Sequence, residues 1–369
     1  MNGVPRWAVA ALAALAACSH RPPRDFAPDP GLVARIREIE LRAPQWACPG
    51  QSFPVTYSAV LDDGSRVPFE SRYDKKHPPA LHVVFLQRHS AEATPLEGGG
   101  WAGDRDPLVS ARTGFRLDAA LRANLSVTGS ATVAPEYSCD DHTFQFEGAT
   151  GDPGGAGVDG PEVTVRLGIV RSPFYNRLLV VAVEVAQAPP LFLLADARSV
   201  PPADWLIVES RGGRGGRGVS GARGLRGAEG AAGCPGGAGG PGGVGGSGGP
   251  GAAGGRGGRI TVIAPESEPF LAGLVDARVS GGEGGPGGAG GAGGAGGPGG
   301  APHPTDTQRS CLPGQTGVEG AAGRAGPKGF EGDRGPRMTV LTVPLRSVFG
   351  TRAPAELVEL LDLGTRRRP

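Results

Sequence analysis

Lysine is nearly absent from this chain: Lys75, Lys76 and Lys328 are the only three, so the basic charge is almost entirely arginine. The formal net charge is +1, which leaves no basic excess of the kind a nucleic-acid binder concentrates on its surface. Aromatic residues make up 5% of the chain, and between Gly212 and Gly335 only Phe270 and Phe330 occur. An ordinary apolar core is therefore excluded from that region and expected before it. No apolar run beyond the N-terminus approaches the roughly 20 residues that a membrane-spanning helix needs. Also missing are G-x-S-x-G, H-E-x-x-H, C-x-x-C and Walker-type runs, so no enzyme, zinc site or cofactor is implied by motif.

Cysteine is scarce too, with five in the chain, and the first carries the most specific signal. Arg6 is followed by the apolar stretch Trp7 to Ala17 and then by Leu15-Ala16-Ala17-Cys18, the layout of a secretory signal with a short apolar core. This ending resembles the lipobox of bacterial lipoproteins. The resemblance implies a signal peptide over 1–17, cleavage before Cys18, and acylation of that residue with diacylglycerol and a fatty acid such as palmitate. Several acyl chains on one residue give stable anchoring, at about 0.8 kcal/mol per buried CH₂. Ser19 stands where inner-membrane retention signals have Asp, so the resemblance points to the outer membrane. Residues 18–30 then form a lipidated, proline-rich tether.

The other four, Cys48, Cys139, Cys234 and Cys311, allow three disulfide pairings in an oxidising compartment. One pair lies before the glycine-rich region and one within it, which favours Cys48 with Cys139 and Cys234 with Cys311.

Over 31–203 short β-type runs alternate with turn signals: Ile36 to Leu41, Ser52 to Leu61, Arg66 to Phe69, Leu81 to Gln87, Ser126 to Val133, His142 to Phe146, Val163 to Val170 and Leu178 to Val185. Asp62-Asp63-Gly64-Ser65 reads as a hairpin turn. The pattern predicts an antiparallel β-sandwich. The stretch from Leu41 to Val55, with Pro49-Gly50 between two strand runs, resembles the opening of bacterial immunoglobulin-like modules. Glu97 to Asp106 and Gly148 to Gly160 are polar and glycine-rich and read as loops.

Candidate chemistry in this part is thin. His82 and His89 lie seven apart and, at the strand period of two, face opposite sides. Cys139-Asp140-Asp141-His142 gathers a thiol, two carboxylates and an imidazole, making Asp140, Asp141 and His142 the cluster to test for catalysis; a disulfide cysteine followed by a solvated turn is the favoured reading of it. Asp152 and Asp159 lack the alternating oxygen ligands of a calcium loop.

Glycine dominates the chain beyond about residue 210. It recurs at every third residue from Gly212 to Gly257, from Gly281 to Gly299 and from Gly314 to Gly335. This is the period of a polyproline-II helix, and each register forms one edge of it. The third tract, with Gly326-Pro327-Lys328-Gly329, resembles the collagen-like repeat. Where Gly-Gly-x triplets run (Gly236 to Pro250), two edges are bare, and such repeats resemble polyglycine-II bundles, as in glycine-rich antifreeze proteins and some phage adhesin tips. Strand-like runs flank the tracts: Asp204 to Glu209, Arg259 to Ala264, Leu274 to Val279 and Arg337 to Val343. They are expected to form one small sheet from which the tracts leave and return, and Pro354 to Leu363 to form a short amphipathic helix ended by Gly364.

The fold expected is mainly β: an N-terminal immunoglobulin-like sandwich over 31–203, then over 204–345 a small sheet carrying a glycine-rich polyproline-II bundle, and a helix and tail over 346–369. The expected role is that of a lipid-anchored cell-surface lipoprotein of the outer membrane, meeting a polysaccharide, matrix or protein partner through a rigid bundle. A monomer is expected, with no enzyme activity, cofactor, metal or nucleic acid. A trimeric collagen-like rod and a hydrolase or carbohydrate-processing enzyme are the alternatives.

Overall fold

The computed structural model describes residues 22–139, 141–303, 310–351 and 353–365. Cys18 and Asp140 lie outside the described residues. The protein is mainly β, and alternation of buried and exposed residues sets its strands.

In the N-terminal part, Ile36–Arg42, Thr56–Leu61, Arg66–Glu70 and Leu81–His82 form one four-stranded sheet. The order of a second is Trp46–Ala47, Asn124–Pro135, Phe115–Leu121, Leu86–His89. Their inward faces share one core, including Ile39, Tyr57, Leu81, Phe115 and Leu117. The Asp-Gly hairpin is present, with Gly64 at φ +78° between the paired strands Thr56–Leu61 and Arg66–Glu70. Contrary to an all-antiparallel sandwich, Phe69 pairs with Leu81 and Ala134 with Trp46 in parallel. In each case a long crossover, rather than a tight turn, returns the chain in the same direction. The run Leu81 to Gln87 is not one strand either: a 3₁₀ turn at Val83–Phe85, capped by His82, divides it between the two sheets.

Glu97 to Asp106 is not simply a loop. It contains the strand Trp101–Gly103, and Trp101 is fully buried, its Nε1 donating to the Tyr57 hydroxyl at 2.7 Å. The Tyr57 hydroxyl in turn donates to the Gly99 carbonyl at 2.9 Å. A single tryptophan among glycines offered no alternation from which to read a strand.

The second part is built from one unit used three times. In each, a strand leads into an outgoing limb with glycine at every third position, a tip, a returning limb and a second strand. The units run from Thr143–Glu147 to Val163–Val170, from Leu206–Arg211 to Ile260–Pro265, and from Val275–Arg278 to Thr339–Val343. The three strands that launch limbs make a parallel sheet, Thr143 opposite Ile207 and Leu206 opposite Val275. The three that receive them are also parallel, Val163 opposite Ile260 and Thr261 opposite Thr339. Leu178–Val185 and Leu191–Asp196 extend this second sheet antiparallel.

This topology corrects two expectations. The four strands flanking the tracts do not form one small sheet; they divide between two facing sheets, because outgoing and returning limbs lie in different layers. The boundary at 203/204 also falls inside a single core, in which Val165, Leu179 and Leu193 pack against Leu206, Val208 and Val262.

Leu178–Val185 is buried on both faces, since Leu179, Val181 and Val183 face that core while Leu178, Val180 and Ala182 face another. The second cluster is covered by the helix Ala355–Thr365 through Leu357, Leu360 and Leu361, and by Leu108 and Ala111 from the short helix Pro107–Ala111. The expected C-terminal helix is thus present, continuing through Gly364 to Thr365.

Candidate functional site

Both favoured disulfides are formed, Cys48 with Cys139 and Cys234 with Cys311. The first leaves no thiol in the Cys139–His142 cluster. Asp141 is exposed, and the His142 ring lies 4.4 Å from that of Trp205 in a tilted aromatic contact. His82 and His89 do not share a site. His82 is buried, its Nδ1 accepts from the Val84 amide, and desolvation pushes its pKa down. His89 is partnered across strands with Asp118 and lines an open groove of about 730 Å³ with Glu38, Glu40, Thr128 and Ser130. Glu40 is engaged there by Arg66 and Arg42, which hold its carboxyl below the usual range. Among the described residues no group of three His, Cys, Asp or Glu is placed to hold a metal.

Gly148 to Gly160, expected as a loop, belongs to the glycine region. Its first half donates from Gly148, Gly151 and Gly154 to the carbonyls of Arg211, Arg214 and Arg217. Its second half donates from Gly157 and Gly160 to Ala253 and Arg256. Asp159 accepts from the Arg256 amide at 2.7 Å, so this candidate ligand is a tie within the bundle. Gly148, Gly151, Gly154, Gly157 and Gly160 keep the three-residue period, and this short run is the signal that places the segment with the tracts.

The resulting assembly is three hairpins laid side by side, and their hydrogen bonds define two layers. In the outgoing layer, Gly215, Gly218 and Gly221 donate to Glu283, Pro286 and Ala289 of the next limb, a constant offset of parallel neighbours. In the returning layer, Gly239, Gly242 and Gly245 donate to Gln315, Val318 and Ala321. Between layers the limbs are antiparallel: Gly240, Gly243 and Gly246 donate to Ala228, Leu225 and Ala222, and Gly317, Gly320 and Gly323 to Gly297, Gly294 and Gly291. Each of the glycine amides just named is satisfied by a neighbouring limb, which pairs these backbone donors without helix or ladder.

Glycine content per triplet rises with the number of neighbours. The limb from Gly281 to Gly300 has a limb on three sides and carries two glycines per triplet. At Gly293 an added Cβ would stand 1.7 Å from the Gly320 carbonyl oxygen. The limb from Gly314 to Gly335, at the border, carries one glycine per triplet, and its other positions are exposed. The disulfide Cys234–Cys311 joins the ends of the second and third hairpins farthest from the sheets.

Side chains can therefore project only outward. On the outer face of the outgoing layer, one edge presents Arg214, Arg217, Ser220, Arg223 and Arg226, and the adjacent limb presents Glu283, Pro286, Ala289, Ala292, Ala295 and Pro298. Arg214 and Glu283 approach to 4.0 Å, which sets the two rows on one face. Compared with known proteins, the chain matches no family model, no curated protein and no solved structure.

Proposed function

We propose that the protein is a lipid-anchored surface or periplasmic lipoprotein of the outer membrane whose role is structural or adhesive, not catalytic, and that its limbs are polyproline-II helices. The observation that carries the reading is the arrangement of three hairpins in two hydrogen-bonded layers, with tract glycines inward and larger side chains outward. A three-residue period with lateral and no intra-limb hydrogen bonds is what polyproline-II geometry supplies. At about 3.1 Å per residue, the longer limbs reach on the order of 65 Å from their strands. Such a blade presents fixed side-chain rows at little entropic cost on binding, which suits a polysaccharide, matrix or protein partner. Lipidation at Cys18, carried by the Leu-Ala-Ala-Cys sequence, would hold the blade at a membrane.

A trimeric collagen-like rod fits less well, because the glycine amides of the collagen-like third tract, Gly314 to Gly335, are already bonded within this chain.

The reading is tested by shortening the blade in register. Removing residues 219–230, 237–248, 285–296 and 318–329 takes four triplets from each long limb and keeps every pairing offset. Cells carrying the shortened chain should lose attachment to their substratum, while the Asp140→Ala, Asp141→Ala, His142→Ala variant should keep it. Loss of function in the triple variant with its fold intact would establish the enzyme alternative. Radiolabelled palmitate incorporation that survives Cys18→Ser would overturn the anchor.

A further inference from the structure

We infer that the outer face of the outgoing layer is a binding track for a linear acidic polysaccharide, read by the row Arg217, Arg223 and Arg226. The inference rests on the adhesive reading above and names its ligand class.

The row is a product of the period. Because limb residues three apart share an edge, Arg211, Arg214, Arg217, Arg223 and Arg226 align along one side of one limb, Ser220 being the single interruption. In polyproline-II geometry adjacent positions on the edge stand about 9 Å apart, and Arg217 and Arg223, on either side of Ser220, about 19 Å apart. The shorter step is close to the Debye length of about 8 Å at physiological salt, so guanidinium groups at adjacent positions are only partly screened from each other. A structural row would be relieved by interleaved carboxylates, and at the root it is: Arg211 and Arg214 lie 3.9 and 4.0 Å from Glu283. Farther out the relief stops. The facing limb continues as Pro286, Ala289, Ala292, Ala295 and Pro298, without an acid, and the next carboxylate on the arginine edge is Glu229. Among the described residues Arg217, Arg223 and Arg226 form no ion pair and no side-chain hydrogen bond, and all three are exposed. The returning limb at the other border differs in this respect, since it mixes Glu319, Arg324, Lys328, Glu331, Asp333 and Arg334.

Three features select the ligand. A guanidinium pairs bidentately with a carboxylate or sulfate, so the charged groups sought are oxyanions. The three arginines are collinear, at multiples of one triplet step, on a backbone that is hydrogen-bonded along its length, which fits a stiff acidic polymer such as polygalacturonate, whose carboxylates facing one side recur at disaccharide-sized steps when the chain is extended. The adjoining Pro/Ala row is flat and small, leaving room for sugar rings to lie against it. A nucleic-acid duplex, with its much denser phosphates, and an anionic membrane, with laterally mobile headgroups, match neither the spacing nor the single file.

The test uses the full-length chain in detergent, with immobilised polygalacturonate as the acidic probe, dextran as the neutral one, and duplex DNA and phosphatidylglycerol vesicles as other polyanions. Polygalacturonate should bind, with an affinity that falls steeply with salt as counterions are released. R217S/R223S/R226S should weaken binding by about tenfold or more, in line with the loss of several charge-assisted contacts. R324S/K328S/R334S removes the same net charge from the other border and should bind like the parent. Equal loss in both variants, or equal affinity for DNA or the vesicles, would overturn the track. Dextran binding that the shortened blade abolishes, without polygalacturonate binding, would overturn the acidic ligand and leave the adhesive reading standing. If the shortened blade attaches cells as well as the parent while R217S/R223S/R226S loses polygalacturonate, the track stands and the adhesive reading falls.

Discussion

Gly216 and Val219 occupy the same edge of one limb, one triplet apart, yet an added Cβ at Gly216 would stand 1.8 Å from the Asp152 carbonyl oxygen while Val219 is 67% exposed. Between them the first hairpin ends, at the turn where Gly155 donates to Asp152. Gly213 and Gly216 are glycines because a limb lies against them; Val219, Ala222 and Leu225 continue the edge where none does. Side chains on that edge also occupy the place a further limb would take, much as bulky or charged groups protect the edge of a sheet.

Substitution should separate the two kinds of glycine. Gly293→Ala brings a methyl within 1.7 Å of a backbone oxygen and should lower stability by about 2–4 kcal/mol, read as a fall in thermal midpoint. Gly249→Ala meets its nearest atoms at 3.4 Å and should lie within about 1 kcal/mol of the parent, on either side, since alanine also restricts the unfolded chain. Ala252, which stands three residues along the same edge and donates to Gly216, shows that a methyl fits there. Equal destabilisation by both would show that the close approach of limbs is not what requires glycine.

Register gives a second expectation. Deleting Ala292 alone moves every later residue of that limb by one position and sets side chains where glycine amides donate, so the third hairpin should lose its protection from hydrogen exchange. Deleting 291–293 together with 321–323 removes one triplet from each limb of that hairpin and should preserve the protection of glycine amides between the deletions and the sheets. A single-residue deletion that exchanges like the parent would count against the triplet ladder.

Much of the bundle was legible from residue order. The period of three, the change from one bare edge to two and the strands bracketing each tract are local features, and they led to an intramolecular bundle with returns to a sheet. Both cystine pairings were favoured by composition alone. Other elements depended on contacts that a single stretch does not display. Gly148 to Gly160 keeps the period of three, but nothing within it shows that the second hairpin lies beside it and accepts from its glycines. Trp101 becomes a strand residue by pairing with Phe53, 48 residues away. Phe115–Leu121 escaped a sequence reading, although Phe115, Leu117, Ala119 and Leu121 alternate, because two alanines and an aspartate weaken its β character. Glu92 is 3% exposed and holds Thr113 and Arg116, and nothing in its neighbourhood announces a buried carboxylate.

The tip disulfide should act locally as well as globally. The pair C234S/C311S removes a cross-link over a separation of 77 residues, a constraint worth on the order of 4 kcal/mol in the chain-entropy view. Exchange at Gly230, Gly233 and Gly300, near the tips, should quicken more than at Gly212, Gly254 and Gly332, near the sheets. Uniform acceleration along the limbs would indicate that they open as one unit.

Alkaline pH should weaken the junction between the two parts. The Tyr175 hydroxyl donates to the Pro135 carbonyl at 2.9 Å, and burial pushes its pKa up to about 12. A phenol whose folded pKa lies above its unfolded value of about 10 contributes stability that is complete below pH 10 and lost as pH rises toward 12. Tyr175→Phe should be less stable than the parent at pH 8, by about 1 kcal/mol for the lost bond, and should lose less between pH 10 and 12. Parallel curves for the two proteins over that range, measured by denaturant melts, would remove Tyr175 as the titrating group.

The antiparallel ladder within each long hairpin also orders assembly in time. In the second hairpin the rung nearest the tip, Gly237 to Ala231, spans six residues, and each rung after it, Gly240 to Ala228 and Gly243 to Leu225, widens the loop by six more while the previous rung already holds the ends together. Closing grows by small increments from the tip, so no rung requires a long diffusive search even though the last, Gly258 to Ser210, joins residues 48 apart. The third hairpin closes the same way, from Gly314 and Gly300 toward Gly335 and Val279. Cys234 and Cys311 sit on different hairpins, and in a refolding time course the appearance of their bond therefore marks the docking of two zipped units, not the zipping of either.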